Sequence, residues 1–529
     1  MLQNIMSCAA AWLCLPTLAI AQFDPGPIRF SGEYPHQYET GIVLVSFRPE
    51  AANEARERAL SRSGARSWQL VTPHISDLYR VRVADGDEDR AVERCRTDPA
   101  VALARRNAAR YFFGARAKAA RLTQTIPYNV AESNAPTLWA IDEPGEADGG
   151  IRGGLVRIAI IDTGCNAHGD LPTPIAEENF VDLGAPATDS EGHGTAVAGV
   201  ALARDNEMCY VGAAPAADLV VAKIDPEQGG TTIDRSIAAI SWAINLALPD
   251  SNENPVASVR VINMSYGRSV YDEDEEFICN KALADGVVLV AACGNDYVCP
   301  IGPANFPSSY PTVLSVSAVE EGGLRGLDSG GTRNAQVDLS RGGYSVPVLS
   351  SSGVSACGTE VVGTSFASPV VAGVAALLFD QLEADPSTER KAVAAFLVRQ
   401  ALILGASDGV GGFCNDPAGR DPSYNWGRAD AAASHLIVAR RYACAADFNI
   451  DGVLDAADLS EFLAAANANP PTPSPSGYGV PQSIRRQSIS DDVPDAPYDE
   501  LGFAADFNHD GKLDPDDLAD FIAASFAGC

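Results

Sequence analysis

The longest uninterrupted apolar stretch of the chain constrains its fold most. It spans residues 370–379 and directly follows the small and polar segment 363–369. A run of that length is typical of a buried helix rather than a strand, and such a helix needs a large core around it. Ser365 lies near the predicted start of this helix, where unsatisfied backbone N–H groups favour negative charge. Taken alone, Ser365 is either an ordinary N-cap or a nucleophile.

A serine nucleophile requires a base, and the base requires an orienting carboxylate. Of the six histidines, only His193 lies in a small-residue frame (191–199) that opens another apolar helix. Asp162 ends the β-branched stretch 156–162, which is a predicted strand. Because ligands bind at the carboxyl edge of parallel sheets, we expect Asp162, His193 and Ser365 to meet there.

Residues 122–440 alternate short Val/Ile/Ala-rich strands with helical patterns. This rhythm predicts an α/β domain with a mainly parallel sheet and helices on both faces. At 529 residues with 46% hydrophobic and 20% charged residues, the chain is long enough for a large core and further domains.

Five sequence blocks resemble, in order, those of the subtilisin-like serine proteases. Three of them are Asp162-Thr-Gly, His193-Gly-Thr and Gly-Thr-Ser365-Phe-Ala-Ser-Pro, and two more span residues 261–267 and 289–295. The resemblance implies a serine endopeptidase that hydrolyses protein and peptide substrates through an acyl-enzyme and needs no cofactor for its chemistry. It also assigns Asn295, in isolation an ordinary turn residue after a glycine, as the oxyanion donor.

The same resemblance implies a primary specificity pocket with two sides, lined by Ser265, Tyr266 and Gly267 and by Ala292, Cys293 and Gly294. The chain departs from the family at Phe366, where methionine is usual after the nucleophile. A catalytically idle protease fold, acting as a binding or attachment protein, is the alternative function.

Residues 1–21 have an apolar centre and end Ala19-Ile20-Ala21, which predicts a signal peptide and secretion; the alternative is a buried N-terminal helix. We find no other apolar run of the roughly 18–20 residues that a membrane span needs, so no transmembrane segment is expected. The net charge of −31 argues against nucleic acid as a partner.

Residues 22–121 are basic, with 17 Arg and Lys against 13 Asp and Glu. Their pattern predicts the order β-α-β-β-α-β of a ferredoxin-like α+β sandwich. In front of a subtilisin-like domain, this region resembles the family's propeptide, an inhibitor and folding template whose last strand occupies the cleft and which the protease removes between residues 113 and 127. The alternative is a permanent domain. Residues 114–121 are interpreted as an exposed linker.

Residues 441–529 carry one motif twice, 59 residues apart, around a proline-rich spacer at 467–499. The oxygen ligands of the two EF-hand-like calcium loops are predicted to be Asp447, Asn449, Asp451, Asp455, Asp458, Asp506, Asn508, Asp510, Asp514 and Asp517. The pair resembles dockerin modules, which implies structural Ca²⁺ and a cohesin-like partner, although the wide spacer departs from them. A calcium-bound stability module is the other interpretation.

Loss of the signal peptide would leave ten of the twelve cysteines, an even number suited to an oxidising compartment. Cys444 with Cys529 and Cys293 with Cys299 are plausible pairs. For Cys165 and Cys209, buried free thiols are the alternative to pairing.

Overall fold

The computed structural model describes residues 29–31, 37–72, 77–112, 119–120, 124–141, 150–225, 230–246, 259–295, 304–323, 337–383, 391–406 and 427–443. The predicted signal peptide (1–21) and the repeats with all ten expected calcium ligands lie outside these residues, as do Cys299, Cys444 and Cys529.

The N-terminal region forms an antiparallel sheet covered by two helices. Its elements are β1 (Phe30–Ser31), β2 (Tyr38–Phe47), α1 (Asn53–Ser63), β3 (Ser67–Leu70), β4 (Leu78–Arg82), α2 (Glu88–Arg96) and β5 (Val101–Phe112). The strand order is β5-β2-β4-β3, with β1 added along β2. Because strand residues alternate between faces, Val43 and Val45 pack under the helices, whereas Leu44 packs with residues of the larger domain.

The larger domain follows the short strand β6 (Ala119–Ala120). It begins with the helices α3 (Tyr128–Ala131) and α4 (Ala135–Trp139). Its further elements are β7 (Arg157–Asp162), β8 (Ala176–Asn179), α5 (His193–Leu202), β9 (Asp218–Lys223), β10 (Gly230–Thr232), α6 (Ile233–Ile244), β11 (Val261–Met264), β12 (Tyr266–Gly267), α7 (Glu273–Ala284), β13 (Val288–Ala292), β14 (Val313–Val319), β15 (Leu339–Gly342), β16 (Val346–Leu349), β17 (Cys357–Val361), α8 (Ser368–Glu383), α9 (Lys391–Leu404) and α10 (Ala431–Ala443).

Seven strands form a parallel sheet in the order β15-β14-β13-β11-β7-β9-β8. The central strand β7 shows how both faces are covered. Ile158 and Ile160 pack in the cluster that contains α5 and α8, whereas Ala159 and Ile161 pack in the cluster that contains α6 and α7. The prediction of an α/β domain with a parallel sheet between two helical layers is confirmed.

The apolar run 370–379 lies within α8, and every residue from Val370 to Phe379 is buried. By length and hydropathy, the segment Thr364–Leu382 is the one stretch among the described residues that could cross a bilayer, with a mean hydropathy of 1.5. The expectation that no further run reaches that length was therefore wrong. Because 94% of this window is buried inside the protein, the segment is a core helix.

Cys209 and Cys357 form a disulfide bond that joins positions 148 residues apart. Of the two cysteines for which a free thiol was the alternative, Cys209 is therefore paired, while Cys165 is a buried thiol. The linker interpretation of 114–121 also needs correction at Ala119–Ala120, because these two residues pair with β17.

Candidate active site

Asp162 and His193 meet at the carboxyl edge of the parallel sheet. Asp162 is the last residue of β7, and His193 is the first residue of α5. The His193 Nδ1 atom lies 2.8 Å from Asp162 Oδ1, which also accepts the Thr163 N–H at 2.7 Å. Because a carboxylate only accepts hydrogen bonds, this contact places the proton on Nδ1 and leaves Nε2 as the basic nitrogen.

The close approach of α5 to β7 depends on Gly194. A Cβ atom at this position would lie 2.1 Å from the Gly164 carbonyl oxygen, so a larger residue would push the helix away. The small residues around His193 are therefore part of the geometry that brings the imidazole to Asp162.

Asp189 is a positioning residue that the sequence analysis missed. One oxygen, Oδ1, accepts the Gly192 N–H at 2.7 Å and the Thr163 hydroxyl at 2.8 Å, and the other accepts the Thr195 N–H at 2.8 Å. Asp189 thus satisfies free N–H groups at the start of α5 and links them to the residue after Asp162. Its place four residues before His193, at the start of an apolar helix, was the available signal.

Ser365 lies in a 3₁₀ turn (Thr364–Phe366) that leads into α8. Its hydroxyl donates a hydrogen bond to the Ser265 carbonyl at 3.2 Å, just beyond β11. The Phe366 ring packs against the His193 imidazole, with centroids 5.6 Å apart. The serine and the imidazole therefore belong to one buried cluster, in which Ser365 is fully buried and His193 is 5% exposed.

Asn295 lies shortly after β13. Its side chain is oriented by Thr364, which belongs to the 3₁₀ turn that contains Ser365. Its Oδ1 atom accepts the Thr364 N–H at 3.0 Å and the Thr364 hydroxyl at 2.9 Å. Since both contacts use the amide oxygen, the Nδ2 group is the part of the side chain left to donate. The sequence alone gave no reason to single out Thr364 for this role.

The residues expected to line the primary specificity pocket lie at two places along the carboxyl edge of the parallel sheet. Tyr266 and Gly267 form β12, and Ser265 precedes them. Ala292 ends β13, and Gly294 then adopts a φ of 105°, a conformation that favours glycine. Cys293 is buried between them, with its N–H donated to the Val316 carbonyl at 3.0 Å.

The end of β5 lies between two strands of the larger domain. On one side it pairs antiparallel with β12, Phe112 opposite Tyr266; on the other it pairs antiparallel with β10, Arg110 opposite Thr231. The Phe112 ring contacts the His193 imidazole, with centroids 5.7 Å apart. An extended segment of the N-terminal region therefore reaches the residues that surround Ser365.

Arginines of the N-terminal sheet meet carboxylates of α6 and α7. Arg80 contacts Asp234 at 2.5 Å, and the Arg110 Nη2 atom contacts Glu275 at 2.5 Å. Burial opposes ionisation of Asp234, but Arg80 and the neighbouring hydrogen-bond donors hold its pKa below the ordinary value. Since all four side chains are nearly or fully buried, the two regions share a charged, desolvated interface.

Within the residues that the structure describes, no group of three or more His, Cys, Asp or Glu side chains could hold a metal ion.

The Subtilase family model (Peptidase_S8) matches residues 153–432. The chain is 29% identical over 349 residues to the "Thermostable alkaline protease" of Halalkalibacterium halodurans, covering 64% of this chain and 86% of that protein. It is 34% identical over 262 residues to Subtilisin DY of Bacillus licheniformis, covering 49% and 86%. It is 28% identical over 296 residues to Subtilisin E of Bacillus subtilis, covering 56% and 69%. The chain belongs to the subtilase family, and it is a subtilisin-like serine endopeptidase.

Proposed function

We propose that this protein is a secreted serine endopeptidase in which Asp162, His193 and Ser365 form the catalytic triad. The observation that carries the assignment is the 2.8 Å contact between His193 and Asp162, together with the buried Ser365, whose neighbour Phe366 packs its ring against the His193 imidazole. The predicted signal peptide at 1–21 supports secretion.

The roles follow from proton affinities. A serine hydroxyl is a poor nucleophile at neutral pH, so His193 Nε2 takes its proton as Ser365 attacks the scissile carbonyl. The resulting imidazolium then protonates the leaving amine, and water releases the acyl group from the serine. Asp162 holds the tautomer and stabilises the imidazolium. Asn295, oriented by Thr364, donates Nδ2–H to the developing oxyanion, a contribution of about 3–4 kcal/mol in subtilisin.

We further propose that residues 22–121 are a propeptide that the enzyme removes. Three features support this: the β-α-β-β-α-β order typical of a ferredoxin-like sandwich, the antiparallel pairing of β5 with β10 and β12, and the contact of Phe112 with His193. An inhibitor bound as an extended strand satisfies the same backbone groups that a substrate would.

Ser365→Ala tests both proposals. Loss of the nucleophile lowers turnover by about 10⁶-fold in subtilisin, so the variant should fold but stay inert and keep residues 22–121 attached. Mass spectrometry of the purified variant reads the N-terminus. Removal of the propeptide at the normal rate in this variant would contradict self-processing.

A fluorophosphonate probe separates the endopeptidase from the idle fold. The intact enzyme after propeptide removal should be labelled at Ser365, because His193 activates this serine. A folded, processed protein that resists labelling would favour the binding-protein alternative.

For the C-terminal region we propose structural Ca²⁺ at the two predicted loops, for example through Asp447 and Asp506, and docking to a cohesin-like partner. The support is the repeated ligand spacing in the sequence. Calorimetric titration of the full chain with Ca²⁺ should show binding that the double variant Asp447→Ala/Asp506→Ala loses. Unchanged binding in that variant would contradict the assignment.

A further inference from the structure

The buried carboxylate of Glu275 lies where an extended strand occupies the cleft. Glu275 is in the first turn of α7, and its side chain is fully buried. Its Oε2 atom accepts the Tyr310 hydroxyl at 2.9 Å and the Arg110 guanidinium at 2.5 Å. The cation that neutralises it in this structure therefore comes from β5, the segment proposed to leave.

The side chain of Arg110 lies in a buried pocket and not at the protein surface. Its side chain is fully buried, and Nη2 also donates to the Val270 carbonyl at 3.0 Å. Tyr266 is likewise fully buried, with its hydroxyl 2.9 Å from Ser236 Oγ. Burying a carboxylate this deeply is costly unless a cation accompanies it.

The strand register gives the position of this pocket relative to the reaction. Gly267 lies opposite Tyr111 and Tyr266 opposite Phe112. The next residue of any peptide that continues this register would lie opposite Ser265, whose carbonyl accepts the Ser365 hydroxyl. The reacting carbonyl therefore belongs to the third residue after the one that occupies the place of Arg110.

We propose that Glu275 is a specificity-determining residue, and that the enzyme prefers protein substrates with an arginine three residues before the one that supplies the scissile carbonyl. This inference rests on the proposed function, since it treats β5 as a substrate-like strand. The other ion pairs between the two regions do not share this position. Arg80 lies on β4, and Arg105 lies on β5 but before residues 109–112, which pair with β10 and β12.

The direct test compares peptides that differ only at this position. The processed enzyme is assayed with acetyl-Arg-Tyr-Phe-Phe-p-nitroanilide and with the same peptide carrying norleucine in place of arginine. We expect kcat/KM to be about 10- to 150-fold higher for the arginine peptide, the range that a hydrogen bond to a charged group supplies. Equal values for the two peptides would overturn the proposal.

Two variants test whether Glu275 causes the preference for arginine. Glu275→Leu should abolish or reverse the preference, because it removes the carboxylate and leaves an apolar pocket. The matched control is Glu273→Leu, which alters an exposed glutamate two residues earlier in the same helix and should leave the ratio of the two peptides unchanged. A preference that survives Glu275→Leu would refute the role of Glu275.

A measurement without turnover separates this inference from the proposed function. If no peptide is cleaved, the proposed endopeptidase fails, and the pocket is then tested in the Ser365→Ala chain. Arg110→Leu, Glu275→Leu and the double variant form a thermodynamic cycle on the protection of residues 101–112 from amide exchange. If the effects of the two substitutions are strongly non-additive, the arginine pocket is supported even without turnover. If the two effects simply add, the pocket is contradicted.

Discussion

Neighbouring arginines on β5 provide a sharp test of how the proposed propeptide, residues 22–121, is held against the larger domain. Arg105 faces the larger domain, where Nη2 contacts Asp272 at 2.7 Å and Asp274 at 2.8 Å. Arg106 faces the other way and pairs with Asp89, at 2.7 and 2.8 Å. Arg105 is 15% exposed and Asp272 only 1%, whereas Asp89 is 79% exposed. The two arginines therefore contact their aspartates at similar distances, but the contact of Arg105 is mostly buried and that of Arg106 is exposed to solvent.

The perturbations are Arg105→Leu and Arg106→Leu in the Ser365→Ala chain, which should keep residues 22–121 attached. Removing one partner of a buried ion pair costs about 3–5 kcal/mol. Asp272 retains two backbone donors, Asp274 N–H at 3.1 Å and Glu275 N–H at 3.0 Å, so we expect a smaller cost of about 2–4 kcal/mol. The exposed pair should contribute about 0–1 kcal/mol.

Hydrogen exchange of the amides in residues 101–112, followed by mass spectrometry, measures the free energy of opening. Arg105→Leu should speed exchange by about 30- to 700-fold, since each 1.4 kcal/mol is a factor of ten. Arg106→Leu should change it by no more than about fivefold. Equal effects of the two variants would refute the argument that burial decides the contribution of these ion pairs.

Three further predictions follow from the site and its surroundings. Because the pKa of Asp234 is lowered while the N-terminal region is bound to the larger domain, this carboxyl binds protons more readily when the two regions are apart. The contact between the two regions is therefore fully stabilised above about pH 4 and weakens as pH falls further. Gel filtration of the processed complex should show more dissociation at pH 3 than at pH 6, and Asp234→Asn should weaken this dependence; a complex equally stable at both values would contradict it. Cys357→Ser opens a bridge between residues 148 apart, which should lower the free energy of unfolding by about 5 kcal/mol by chain entropy. Thermal denaturation checks this, and a melting temperature unaffected by the substitution would be the contrary result. Because Phe366 replaces an oxidisable thioether next to Ser365, peroxide should leave peptidase activity largely intact, whereas Phe366→Met should become sensitive; rapid inactivation of the unaltered enzyme would count against this reason.

The fold was predictable because local sequence carries its periodicity. The buried helix α8 and the β-branched strand β7 are continuous in the chain, so hydrophobic pattern identifies them directly. His193 was found for a related reason: the close approach of α5 requires Gly194, and this requirement leaves a recognisable block of small residues.

The residues that the sequence analysis missed depend on contacts between distant segments. Glu275 stands among four acidic residues in the first turn of α7, a composition that ordinarily only complements the helix dipole. Nothing local distinguishes it from Glu273, and its pairing with Arg110 spans 165 residues. The Cys209–Cys357 bond spans 148 residues, and cysteine spacing does not reveal such connectivity.

If residues 22–121 are removed as proposed, β10 and β12 lose the strand that lies between them. Within the described residues, each of these two short strands has β5 as its partner in the sheet. Departure of β5 therefore leaves two facing rows of amide and carbonyl groups that only water or another extended chain can satisfy. Such a slot accepts almost any unfolded polypeptide by its main chain. Flexible loops and denatured proteins should consequently be digested far faster than the same sequences held in a helix.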